Sequence, residues 1–178
     1  MKGVIIWKGK YGATRQYVEW LAADLLLPVL TTEQATATEL AKYDFVVLGS
    51  SVYVGKLCFK KWLNASAELL SSKKLFVFVV CATKPHEQTK LHEIQRTNVP
   101  GILVNQVTLF FLRGRLAKKH LSLLDRFILW LGANLQKDPK VKKEMLTDFD
   151  DVQRQNIIPL VKEVKAFSKQ TTHPSAVL

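Results

Sequence analysis

Apolar positions along the chain follow two rhythms, and the switch between them marks the elements. Residues 4–7 (VIIW) form a short uninterrupted apolar run, as expected of a strand buried on both faces. From Thr14 the spacing becomes helical, with Tyr17, Val18, Leu21 and Leu25 three and four apart. Pro28 ends that helix, and PVL behind it reads as a short second strand. A polar stretch follows, with a weak helical turn over residues 39–42. Residues 45–48 (FVVL) then predict a buried strand that stops at Gly49.

Residues 57–70 read as a helix carrying Phe59, Trp62, Leu63, Leu69 and Leu70, and residues 75–81 (LFVFVVC) as the clearest strand of all. KPHEQTKLHEIQR predicts a loop and a polar helix, and residues 102–112 another strand. The last third holds a basic loop, an apolar helix ending near Leu135, a charged connector and a final helix. Asp148 is a candidate cap for that helix, and Pro159 either kinks it or starts its second half. Residues 1–170 read as a single domain and residues 171–178 as a flexible tail.

Strands alternating with helices, each strand apolar on both sides, predict an α/β fold with an open parallel sheet covered on both faces. In such sheets ligands bind beyond the carboxyl ends of the strands, near the point where strand order reverses. The rule selects the loops after Trp7, Leu48 and Cys81.

Composition changes this picture in one respect. Of 178 residues, 48% are hydrophobic, enough for a full core, but 26 Lys+Arg against 15 Asp+Glu leave a formal charge of +11. Such a surface attracts anionic ligands, polyanions or anionic membrane. Charge alone would admit nucleic acid, but no stacking platform or recognition motif accompanies it. Cys58 and Cys81 form no disulfide framework or zinc spacing, and His86, His92, His120 and His173 show no metal spacing, so no metal site is expected. With no signal peptide and no apolar window of the ~20 residues that a membrane span needs, the expectation is a cytoplasmic protein, any membrane contact being peripheral at the inner face of the cell membrane.

Each selected loop has its own chemistry. In the first, Gly9 and Gly12 permit close backbone approach, Lys8, Lys10 and Arg15 add charge, and Thr14 offers a hydroxyl where the helix starts. Free N–H groups there would face an anion. Neither a Walker A loop nor G-x-G-x-x-G is present. The second, GSSVYVGK, exposes backbone at small residues, and Tyr53 could lie against a flat ring. The third holds Cys81, Ala82 and Thr83, with no acid–base pair. Singly each passes for an ordinary turn; together they suit a mononucleotide with a phosphate and a planar ring.

The order strand, KGKYGATRQ, helix, YDFVVLGSSVYVG and VFVVCATKP resembles the flavodoxin-like FMN-binding fold across most of the chain. GSSVYVG and LLDRFILWL are similar to one branch, the menaquinone-dependent protoporphyrinogen oxidases. The resemblance implies a three-layer sandwich with a five-stranded parallel sheet in the order 2-1-3-4-5. It implies FMN phosphate in the loop of Lys8, Gly9, Lys10, Tyr11, Gly12, Ala13 and Thr14. It implies the flavin ring between the segment Ser50, Ser51, Val52, Tyr53, Val54, Gly55 and the segment Cys81, Ala82, Thr83, with Val80 before it. Flavodoxin phosphate loops read T-x-T-G-x-T, whereas Gly9, Lys10 and Tyr11 stand here; Lys8, Lys10 and backbone amides are the substitutes on offer.

The implied function is an FMN-dependent oxidoreductase passing electrons from a reduced, porphyrinogen-type substrate to a quinone, a role in haem biosynthesis. Two rivals stand beside it: a flavodoxin-type electron carrier docking on redox partner proteins, and an interaction module that has lost flavin. In residues 121–135, Leu121, Leu124, Phe127, Ile128 and Leu131 define the face expected to pack on the sheet. The apolar content outside that face leaves a buried core helix and a contact with membrane, quinone or partner both open. For a membrane contact, Arg113, Arg115, Lys118 and Lys119 would meet anionic headgroups.

Overall fold

The apolar runs become strands wherever both faces are covered. The computed structural model describes residues 1–170, so the expected tail at 171–178, with His173, lies outside the described residues. Five strands build one parallel sheet: β1 (Gly3–Lys8), β2 (Val29–Thr31), β3 (Phe45–Tyr53), β5 (Lys74–Cys81) and β6 (Val107–Arg113). Their order is β2-β1-β3-β5-β6, and a two-residue strand β4 (Lys56–Leu57) pairs antiparallel with the end of β3. Counting only the five long strands, this is the expected 2-1-3-4-5 arrangement. Register runs straight across, Ile6 beside Leu48, Leu48 beside Val77 and Val77 beside Leu109.

Successive side chains alternate between the two faces. On one face Val4, Ile6, Val46, Leu48, Val77 and Val79 pack with Leu40 of the one-turn helix α2 (Ala37–Leu40) under α3 (Lys60–Ala65), α4 (Ala67–Leu70) and α5 (Gln88–Asn98), reached through Leu63, Leu70 and Leu91. On the other, Ile5, Phe45, Val47, Phe76 and Phe78 meet α1 (Ala13–Leu25) through Tyr17, Val18 and Leu21. The final helix α8 (Ile158–Gln170) adds Leu160 and Val164. Phe167 closes this side edge-on against Phe45 at 5.8 Å and Phe76 at 5.6 Å. Burying one such ring contributes roughly 1.5–3 kcal/mol.

Several elements differ from expectation. β3 does not stop at Gly49 but runs to Tyr53, because Lys8 lies beside Ser50, Val80 beside Ser51, and β4 pairs with Val52 and Tyr53. The expected helix over 57–70 starts only at Lys60, after the β4 hairpin. The strand expected over 102–112 begins at Val107, since Gly101–Leu103 wind into a 3-10 turn after Pro100. Asp148 does not cap the final helix; its Oδ1 accepts from the Lys118 backbone N–H. Pro159 is the second residue of α8, a position with no hydrogen bond to lose, and kinks nothing.

The largest departure is α6 (Leu123–Asn134), followed by the short helix α7 (Pro139–Met145), its main packing neighbour. Of the face expected to pack on the sheet, Leu124, Phe127 and Leu131 are exposed, as are Leu123, Trp130 and Leu135. What α6 buries is Asp125 and Ala133. It is no core helix.

Candidate functional site

The loop between β1 and α1 is shaped by two glycines. Gly12 caps α1 at φ +83°, a left-handed conformation that side chains rarely adopt. A Cβ at Gly9 would stand 2.7 Å from Thr14 Cβ and Oγ1. Thr14 is 1% exposed, and its Oγ1 has no hydrogen-bond partner among the described residues. No side chain caps α1. Its first-turn N–H groups, the positive end of a 13-residue helix, therefore share the loop with an unpartnered buried hydroxyl.

The cations expected to add positive charge there are all paired. Lys8 Nζ lies 2.5 Å from Glu33 Oε1, and Arg15 Nε lies 2.9 Å from Glu19 Oε1. The Lys8 ammonium holds the exposed Glu33 carboxyl down at about 2. Lys10 Nζ lies 2.6 Å from Asp125 Oδ2 and 3.8 Å above the centre of the Tyr53 ring. Hydrogen bonding to Asp125 raises the Lys10 ammonium above its usual range.

Asp125 is where the loops converge. Ser122 Oγ accepts from the Asp125 N–H at 3.1 Å, which starts α6 and places Asp125 in its first turn. The side chain, 4% exposed, accepts from Tyr53 Oη at 2.5 Å and from Tyr11 Oη, besides meeting Lys10. Two tyrosine hydroxyls and one ammonium thus surround one buried carboxylate. Sequence reasoning passed over Asp125; the available signal was a single acid inside the apolar run LSLLDRFILWL.

Tyr53 is aimed by a hairpin. Residues Tyr53 and Lys56 pair across Val54 and Gly55, both at positive φ, 48° and 72°. Asn98 of α5, 1% exposed, pins this turn. Its Oδ1 accepts from the Leu57 N–H at 2.9 Å, and its Nδ2 donates to the Gly55 and Ile94 carbonyls at 3.0 and 2.8 Å. Ser50 is fully buried in β3, whereas Ser51, Val52 and Tyr53 are half-buried and Val54 and Gly55 exposed.

At the third loop Cys81 ends β5, and burial pushes its thiol up. Ala82 is exposed and its carbonyl accepts from Arg113 Nη1, while Thr83 is half-buried. The basic segment expected to face headgroups is largely neutralised. Arg113 meets Asp151 at 2.6 Å, Arg115 meets Asp150 at 3.0 Å and Lys118 meets Asp148 at 3.9 Å. Lys119 alone of the four has no acidic partner among the described residues. No described helix is long and apolar enough to cross a membrane.

Solved structures with a similar arrangement include the Trp repressor binding protein from Bacillus subtilis. It is 14% identical with a TM-score of 0.49, over 64% of this chain and 85% of that one. Oxidised Flavodoxin 2 from Bacillus cereus is 16% identical with a TM-score of 0.47, over 96% and 99%. A flavodoxin from the domain Archaea is 13% identical with a TM-score of 0.45, over 93% and 99%. No curated protein matches the chain. A family described as the flavodoxin domain matches residues 4–143, from β1 into α7, and the chain belongs to that family.

Proposed function

We propose that the chain binds FMN at the three loops and works as an oxidoreductase, taking electrons from a protoporphyrinogen-type substrate and passing them to a quinone. One observation carries the cofactor reading. The loop of Gly9, Gly12 and Thr14 offers helix N–H groups and a buried hydroxyl with no partner among the described residues, which is the donor set a phosphate dianion needs. When bound, FMN supplies the electron chemistry. The chain's own part is binding and exclusion. Thr14 donates its hydroxyl to phosphate, Gly12 keeps side chains out of the anion's path, and Tyr53 offers a ring face. Lys10 and Tyr11 serve the same anion once Asp125 gives them up.

The acceptor reading rests on α6. Leu123, Leu124, Phe127 and Trp130 lie exposed on a short helix with Lys119 before it and Lys137 after it. Such a helix suits the boundary of an anionic membrane, where quinones reside. Asp125 supports a second reading, an interaction module without flavin, because its carboxylate already holds two donors of the first loop and Tyr53 of the second.

Incubation with excess FMN followed by gel filtration separates the two. A retained flavin spectrum that Gly12→Val abolishes is the expected result, and a colourless protein would favour the module. For a flavin-loaded protein, anaerobic oxidation of protoporphyrinogen with a menaquinone analogue tests the reaction. Failure there, with reduction by a flavin reductase intact, would make it a carrier.

A further inference from the structure

A cleft of about 680 Å³ opens from the end of β1 and its loop over β4 and the start of α3. Gly12 and Thr14 do not line it, but Lys8, Gly9, Lys10, Tyr53 and Val54 of the proposed flavin site do. Its five lysines are Lys8, Lys10, Lys56, Lys60 and Lys61, joined by the Asn64 amide, and no carboxylate belongs to its wall.

The charges do not balance. Lys8 is neutralised by Glu33 and Lys10 by Asp125. Lys60 Nζ donates to the Thr97 carbonyl at 2.6 Å, which holds the ammonium in place without cancelling its charge. Lys56 and Lys61 are exposed and have no hydrogen-bond or ion-pair partner among the described residues. Three uncompensated ammonium groups within six residues repel one another, and a concave wall concentrates their field. The cleft also has the volume of a small-molecule site.

We propose that this cleft is a binding site for a small ligand bearing a phosphoanhydride, such as a diphosphate ester. The wall contains lysine and no arginine, which favours a compact group of several charges over the planar, forked pairing of a lone carboxylate. Lys56, Lys60 and Lys61 hold the anion, with Asn64 donating beside them. The lysines and the amide that hold the anion lie on β4 and α3, outside the loop of Gly12 and Thr14, while the cleft shares Lys8, Gly9, Lys10, Tyr53 and Val54 with the proposed flavin site, so the two ligands compete for it.

The test is isothermal titration calorimetry of the full chain with inorganic pyrophosphate and, separately, orthophosphate, at low salt. Pyrophosphate should bind more tightly than orthophosphate by about tenfold or more, as expected when several cations act on one anion. Lys56→Ala with Lys61→Ala should weaken pyrophosphate by about tenfold, whereas Lys162→Ala with Lys165→Ala, on α8, should leave it unchanged despite the same loss of charge. Equal weakening by both pairs would make the effect one of net charge and overturn the site. So would pyrophosphate binding that survives the first pair and disappears in Thr14→Val, which would move the anion to the cradle. Absence of pyrophosphate binding would overturn it outright.

Discussion

Lys10 in the β1–α1 loop and Asp125 in α6 meet at 2.6 Å, so the loop that should welcome an anion holds a carboxylate of the chain itself. The Lys10 side chain is 40% exposed and that of Asp125 4%, so solvent reaches the contact from the lysine. An incoming phosphate competes with Asp125 for Lys10 and Tyr11, and the two negative charges repel wherever both are present.

Asp125→Asn should therefore tighten FMN binding, lowering the dissociation constant about tenfold, equivalent to ~1.4 kcal/mol. Quenching of flavin fluorescence on titration gives the number. Weakened binding would show instead that the carboxylate shapes the loop for the cofactor.

Asn98→Ala removes a buried amide that satisfies three backbone groups at once. The Leu57 N–H is then left without its acceptor, and the loss should be about 2–3 kcal/mol. Urea denaturation measures it, and faster hydrogen exchange at Leu57 would place the damage at the hairpin.

Val54 sits at φ 48°, a conformation that costs a β-branched residue on the order of 1 kcal/mol or more. Val54→Asn creates the Asn-Gly pair that such two-residue turns favour. Stability should rise by about 1 kcal/mol in thermal denaturation, with Tyr53 still aimed at Asp125.

The Lys8–Glu33 pair should outlast most carboxylate contacts on acidification. Glu33 is held at about 2, below its ordinary 4.5. A depressed carboxyl contributes its stability above the unfolded value and loses it as pH falls through the folded one. The contribution is thus complete above pH 4.5 and disappears towards pH 2. A side-chain carboxyl NMR titration of Glu33 with a midpoint near pH 4.5 would contradict the pairing.

How much of this was legible depended on what each residue's partners were. Runs such as VIIW and LFVFVVC are readable because a strand covered on both faces needs apolar residues at every position. The extension of β3 through Gly49, Ser50 and Ser51 was hidden, since those residues join the sheet through backbone pairing and not through apolar side chains. Gly12 and Thr14 stood out through the strand-to-helix switch around them. The orientation of α6 did not, because spacing counts apolar residues, while the helix is turned by Asp125, whose partner Tyr11 lies 114 positions away. The same holds for Asn98, a polar residue in a polar helix until the hairpin beside it is seen.

Phe167 packs against Phe45 and Phe76, two rings supplied by strands in the middle of the sheet. During synthesis those strands leave the ribosome long before α8 exists. The α1 side of the nascent sheet has only α1 to cover it, and Phe45 and Phe76 wait for their third ring until the chain has been made through Phe167. Chaperone demand should accordingly peak late in translation, and a ribosome stalled ahead of Ile158 should present a sheet whose α1 face is only partly covered.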